Sequence, residues 1–298
     1  DRCRGRVREV ESGALVVVGK TRVVLLHRKD CHRVDQIVVA ECARVDLGER
    51  EAYAQLRAMV DPFADRLGAP VVWVMGNHDA RGAFRAELWD ESPNDLRPVD
   101  RVQEFDGLRI VTLDTSVPGY HHGELSDDQF AWLADVLAAP APLGTVLAMH
   151  HPPVPSVLAL AASVELRDQR RLATVLRGTD VRAILAGHLH HSSHGTFAGV
   201  PVSVAAASCY SLDGGAPDGT LIGVDGRQGF DLVDVHPHGL VHTHIPLGSP
   251  PVISGFGVEV EDGRTHELGP RDFLSFPSGT RERWRVVGDA PAHVLLAV

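Results

Sequence analysis

Cysteine is scarce in this chain, and its spacing suits no scaffold. The four in 298 residues are Cys3, Cys31, Cys42 and Cys209; none forms a Cys-x-x-Cys pair, which excludes a disulfide-stapled secreted module and a thiolate zinc ribbon. Long apolar runs are missing too. Nothing approaches the ~18 consecutive apolar residues of a membrane helix, and residues 1–9, Asp-Arg-Cys-Arg-Gly-Arg-Val-Arg-Glu, are charged where a signal peptide would be apolar. Reduced thiols without a span or leader make a cytoplasmic protein the expectation. No block of Lys or Arg forms a basic stripe, and the formal net charge is -10, so a nucleic-acid-binding surface is not expected. An acidic chain still binds phosphate where metal ions supply the positive charge. Gly19-Lys20-Thr21 lacks the upstream glycine of a phosphate-binding loop, which excludes that motif.

What the chain does have is length for a proper core, as one large domain or one domain with an appendage, and a series of apolar runs that end in polar side chains. Residues 13–27 hold two β-branched runs parted by Gly19-Lys20-Thr21, a hairpin signal. The second leads to Asp30-Cys31-His32, where positions i and i+2 of an extended segment point to one side and can grip one metal. Residues 36–40 form the next apolar run. They follow too soon for the dozen or more residues of a parallel crossover, so either the two strands are antiparallel or a crossover helix is missing.

Residues 50–67 carry a helical pattern through Ala54, Leu56, Met59, Val60 and Phe63. The following run, Val71-Val72-Trp73-Val74-Met75, has the continuous apolarity of a buried strand and delivers Gly76-Asn77-His78-Asp79 at its end. Residues 108–113 form another strand, ending in Asp114-Thr115-Ser116. Residues 126–137 are an amphipathic helix with Ser126 as N-cap. Residues 145–149 lead into His150-His151-Pro152, residues 165–177 look helical, and residues 181–186 lead into Gly187-His188-Leu189-His190. Further strands are expected at 200–207 and 221–235. One polar strand ending is an ordinary turn. Four of them, Asp30/His32, Asn77/His78, His150/His151 and His188/His190, point to a metal site, because ligands gather at the carboxyl ends of strands in open α/β sheets.

These motifs, in this order, resemble the signature of calcineurin-like metallophosphoesterases. The stretch from Asp46 to about Leu247 is more closely similar to bacterial class III cyclic-nucleotide phosphodiesterases, through Leu113-Asp114-Thr115-Ser116-Val117-Pro118-Gly119, His121-His122-Gly123-Glu124, Trp132-Leu133, and the run from His150 through Leu166-Arg167-Asp168 to His190. The resemblance implies an α/β protein, a four-layer α/β/β/α sandwich with two transition-metal ions of the iron, manganese or zinc class about 4 Å apart. It implies Asp30, His32 and His190 on one ion, and Asn77, His150 and His188 on the other. The family's bridging Asp, in a Gly-Asp-x-x-Asp motif, is replaced here by Glu41-Cys42-Ala43-Arg44 before Asp46. Glu41 is the candidate replacement bridging ligand, with Cys42 as the other option. His78 is expected to be catalytic, stabilising or protonating the leaving oxygen, and Asn77, His78 and His121 to meet the substrate.

The implied domains are 1–249, with residues 1–45 divergent, and a β-rich segment 250–298 similar to half of a small cupin barrel. Half a barrel needs another surface over its apolar face, so a homodimer is one expectation. The implied activity is metal-dependent hydrolysis of a small-molecule phosphodiester, first of all a 3',5'-cyclic nucleotide such as cAMP or cGMP. The alternatives are a broad-specificity phosphomonoesterase or phosphodiesterase of the same fold, and a degenerate member that binds metal or ligand without turnover.

Overall fold

Strand alternation sorts neighbouring apolar residues into different layers, and a computed structural model shows where each set goes. It describes residues 21–28, 36–42, 50–67, 69–247, 255–260, 265–268 and 282–287, with side chains over 50–66 and 69–247. In chain order these are β1 (Thr21–Arg28), β2 (Gln36–Cys42), α1 (Arg50–Leu67), β3 (Val71–Val74), α2 (Arg81–Trp89), β4 (Arg101–Phe105), β5 (Leu108–Leu113), α3 (Asp127–Val136) and β6 (Thr145–Met149). A 3-10 turn (Ala159–Val164) precedes α4 (Gln169–Leu176), β7 (Val181–Ala186), β8 (Ser193–Phe197), β9 (Val200–Val204), β10 (Ser211–Leu212), β11 (Gly223–Val224), β12 (Gly229–His236) and β13 (Gly239–Pro246). The last strands are β14 (Gly255–Val260), β15 (Thr265–Leu268) and β16 (Glu282–Val287).

Two sheets dominate. One has the strand order β13-β12-β1-β2-β3, and the other β4-β5-β6-β7-β9-β8. Three hydrophobic clusters fill the three gaps between four layers. Trp73 and Met75 face Tyr53, Leu56, Val60, Phe84 and Leu88 of α1 and α2. Val72 and Val74 instead meet Leu108, Ile110, Val146, Ala148 and Leu185 between the sheets. On the far side Val111, Leu113, Leu147, Met149 and Ile184 pack on Phe130, Leu133, Leu172 and Leu176 of α3 and α4. Adjacent residues thus divide between helix and sheet, as a period of two requires, and the result is the expected α/β/β/α sandwich.

Local chemistry sets the element ends. Ser126 and Gln129 form a reciprocal capping box, with Asp127 and Asp128 in the first turn of α3 where the helix dipole favours them. The β4–β5 hairpin turns on Asp106 and Gly107, both with positive φ (47° and 90°), the conformation that suits the strand twist. The expected helix at 165–177 starts later, at Gln169. The 3-10 turn ends at Val164 and Asp168 takes a left-handed conformation before the helix begins.

The pairing of the first strands resolves the alternative left by their short connection: β1 and β2 are antiparallel, while β2 and β3 are parallel. The carboxyl end of β1, Arg28, therefore lies at the sheet edge opposite the carboxyl end of β3. The chain divides into two compact units, Asp1–Leu247 and Gly248–Val298. In the second, β14, β15 and β16 form an antiparallel sheet in the order β15-β14-β16.

Candidate metal centre

The loop after β3 is held rigid before it offers any ligand. Asp79 accepts the Gly76 N–H at 2.7 Å and the Tyr53 hydroxyl at 2.8 Å, and the same hydroxyl accepts the Ala80 N–H at 3.1 Å. Tyr53 is fully buried on α1, so the turn is anchored to the helix layer. Asn77, at the loop's apex, is half-buried and places Oδ1 2.7 Å from Nε2 of His150, the residue that follows β6.

His188, on the loop after β7, completes the group, with Nδ1 3.0 Å from the same His150 nitrogen. Its other nitrogen, Nε2, donates to the Val164 carbonyl at 3.0 Å. A carbonyl only accepts, so the proton of neutral His188 sits on Nε2, and Nδ1 turns a lone pair toward His150. Both His188 and His190 adopt positive φ (68° and 56°). Non-glycine residues hold such backbone only where the surroundings enforce it, and it concentrates at functional sites.

An amide oxygen and imidazole lone pairs converging at 2.7 to 3.0 Å fit a transition-metal ion, whose ligand atoms at roughly 2.0–2.2 Å from it stand about 3 Å from one another. Nitrogen atoms of His150, His151 and His188 all lie within 4.8 Å of one another, but His151 has a different job. It is fully buried, its Nδ1 lies 2.8 Å from the Thr115 hydroxyl, and its Nε2 donates to the His121 carbonyl at 3.0 Å. It braces the loop that follows β5.

Of the other expected residues, His190 donates from Nδ1 to the Tyr210 carbonyl at 3.2 Å and lies ring to ring with Tyr210 at 4.5 Å. Cys209 Sγ is 3.9 Å from the same nitrogen. His78 is exposed, with its ring 5.3 Å from that of His121. His121 in turn accepts the Asn77 amide at Nδ1, at 3.1 Å. Asp30 and His32 lie outside the described residues. Glu41 is placed as backbone, paired with Val74 at the carboxyl ends of β2 and β3, and its side chain lies outside the described set.

Sequence reasoning passed over the residues that join the two halves behind these ligands. Arg81, the first residue of α2, donates from Nε to Asp114 at 2.8 Å and from Nη2 to the Ser116 carbonyl at 2.9 Å. Asp114 is buried at the end of β5 and also accepts the N–H groups of Val99 and Ser116. Removing one partner from such a buried pair typically costs about 3–5 kcal/mol. The available signal was an arginine two residues after the Asn77-His78-Asp79 turn.

The sandwich fold and the grouping of Asn77, His150 and His188 agree with the expectation of a calcineurin-like phosphoesterase. The family model described as calcineurin-like phosphoesterase matches residues 44–192, and the chain belongs to that family, whose members use a dinuclear metal centre. Over 211 residues the chain is 58% identical to a cAMP/cGMP dual specificity phosphodiesterase of Mycobacterium tuberculosis, covering 71% of this chain and 66% of that protein. It is 55% identical over 218 residues to a Rhodococcus erythropolis protein named "Probable cyclic nucleotide phosphodiesterase", covering 73% of this chain and 72% of the relative. It is also 29% identical over 215 residues to a 3',5'-cyclic adenosine monophosphate phosphodiesterase of Escherichia coli, covering 72% and 74%. Among the described residues no helix is long and apolar enough to cross a membrane.

Proposed function

We propose that this protein hydrolyses 3',5'-cyclic nucleotides to 5'-nucleotides in a metal-dependent reaction. The observation that carries the reading is that Asn77 Oδ1 and His188 Nδ1 both approach His150 Nε2, at 2.7 and 3.0 Å; the names of the relatives support the substrate class. Asn77, His150 and His188 would hold one ion; Asp30, His32 and His190 would hold the other, and Glu41 would take the place of the family's bridging Asp. When bound, the ions, of the iron, manganese or zinc class, supply Lewis acidity toward the phosphoryl oxygens and a nucleophile at neutral pH.

The chain's own residues do the rest. His78, exposed beside Asn77, reaches outward to protonate the oxygen that leaves phosphorus. Asn77 and His121 sit beside it on the same mouth, so the diester meets Asn77, His78 and His121 together. The Asp79 and Tyr53 contacts hold the turn, so that His78 and Asn77 keep a fixed separation through the reaction.

The test is metal content with turnover. The manganese-loaded chain should carry two ions and hydrolyse cyclic AMP, and Asn77→Ala should abolish hydrolysis. Comparing cyclic AMP with simple aryl phosphates separates a cyclic-nucleotide enzyme from a broad phosphoesterase. A second reading, a member that binds one ion without turnover, is favoured by the direction of β1, whose end at Arg28 lies at the edge away from Asn77. One ion per chain and no hydrolysis of any ester would decide for it.

A further inference from the structure

We propose that His121 is a positioning residue for Asn77, setting the side-chain amide so that its oxygen, and not its nitrogen, faces His150 and His188. The proposal rests on the reading that Asn77 is a metal ligand.

An asparagine amide has nearly the same shape with oxygen and nitrogen exchanged, but only the oxygen offers lone pairs to a cation. Something must choose between the two orientations. Here Nδ2 donates to Nδ1 of His121 at 3.1 Å while Oδ1 lies 2.7 Å from His150 Nε2. A nitrogen that accepts carries no proton, so neutral His121 holds its proton on Nε2, and its acceptor side favours the Asn77 NH2 over the Asn77 oxygen. Donating that hydrogen bond also draws electron density toward Oδ1, the atom that would bind metal.

The acceptor is itself held in place by buried residues. The His121 carbonyl accepts Nε2–H of His151, and His151 is fixed at its other nitrogen by the Thr115 hydroxyl. Both His151 and Thr115 are fully buried. Gly123 lets the loop lie directly on the His151 ring; a Cβ there would come within 2.5 Å of it. The path runs from the buried Thr115–His151 pair to the backbone of His121, through its ring to the Asn77 amide, and so to the ligand set. His121 is the one exposed member of this path, so replacing it leaves the core packing intact.

A positioning role acts before substrate arrives, and the test is therefore a Mn2+ titration of the protein alone, by calorimetry or electron paramagnetic resonance. Wild type, Asn77→Ala, His121→Leu and His121→Asn are compared, with thermal unfolding confirming that each is folded. Leucine removes the acceptor, whereas the Oδ1 of asparagine stands near the place of Nδ1 and accepts the same bond. Affinity should fall about tenfold in His121→Leu, the low end of what lost outer partners of metal ligands cost, and return to within about twofold of wild type in His121→Asn. Equal affinity in His121→Leu and wild type, or an equal loss in both His121 variants, overturns the proposal. Wild-type affinity in Asn77→Ala would show instead that Asn77 is not a ligand, so the two failures are told apart.

Discussion

Asn77 and His150 meet at 2.7 Å although they leave different sheets, Asn77 after β3 of the five-stranded sheet and His150 after β6 of the six-stranded one. The candidate ligand set straddles the seam of the sandwich. Its geometry therefore depends on how the two sheets pack through Val72, Val74, Ile110 and Val146, and not on either strand alone.

Removing the amide at this point should be severe. Asn77→Ala should lower kcat/KM for cyclic AMP by at least ~100-fold, beyond the 10- to 100-fold that outer partners of ligands contribute, and should reduce bound manganese measured by elemental analysis. Retention of full activity would exclude Asn77 from the metal centre.

A cation held only by the folded chain must also stabilise it. At a concentration 100 times its dissociation constant the gain is about 2.7 kcal/mol, which for a domain of this size raises Tm by about 5–10 °C. Chelation with EDTA should lower Tm by that amount and manganese should restore it, with Asn77→Ala losing most of the response. A Tm indifferent to manganese in wild type would count against the site.

The Thr115 hydroxyl and His151 Nδ1 form a buried pair at 2.8 Å. Thr115→Val keeps the volume and leaves the imidazole nitrogen without that partner, at a cost of about 1–3 kcal/mol. Urea unfolding should register the loss. Because His151 also holds the His121 carbonyl, manganese affinity should weaken as well; a variant as stable as wild type would show that water replaces the hydroxyl there.

Asp100 supplies the clearest pH signature. Burial pushes its carboxyl up from the ordinary 3.8 to about 6, the charge of Asp114 adding to the rise while the Asp114 N–H and Gln129 amide bonds oppose it. The folded state thus holds the proton more tightly than the unfolded chain. The stabilisation is complete below the ordinary carboxyl range and is lost as pH climbs through about 6. Asp100→Asn keeps an oxygen acceptor for both N–H donors but cannot ionise, so relative to wild type it should gain on the order of 2 kcal/mol between pH 4 and 7.5. Urea midpoints across that range test it, and a pH-independent difference would assign the effect elsewhere.

Much of this architecture was legible in the residues. The helical period over 50–67 and the apolar runs at 71–74, 145–149 and 181–186 appear as α1, β3, β6 and β7, because packing in a layered α/β protein obeys the same periodicities that the pattern displays. Polar side chains at strand ends marked Asp30/His32, Asn77/His78, His150/His151 and His188/His190 as one candidate site, and the family resemblance, not the spacing, grouped Asn77 with His150 and His188.

Other features depended on three dimensions. His150 and His151 are neighbours of one chemical type, and no spacing rule separates them; only the turn after β6 sends one toward Asn77 and the other onto Thr115 and the His121 carbonyl. The exposed loop histidine His121 likewise acquired a defined contact only when the β5–α3 loop was laid against the β3 loop. Strand direction is the last such feature: the short connection after β1 allowed two arrangements, and the hydrogen-bond register decided for an antiparallel pair. Residue type and period determine which side chains end a strand and which face a core, since those are local consequences of backbone geometry. Which ends meet is set by the packing of whole sheets, an interaction among residues far apart in the chain, and here that packing brought together Asn77 and His150, 73 positions apart.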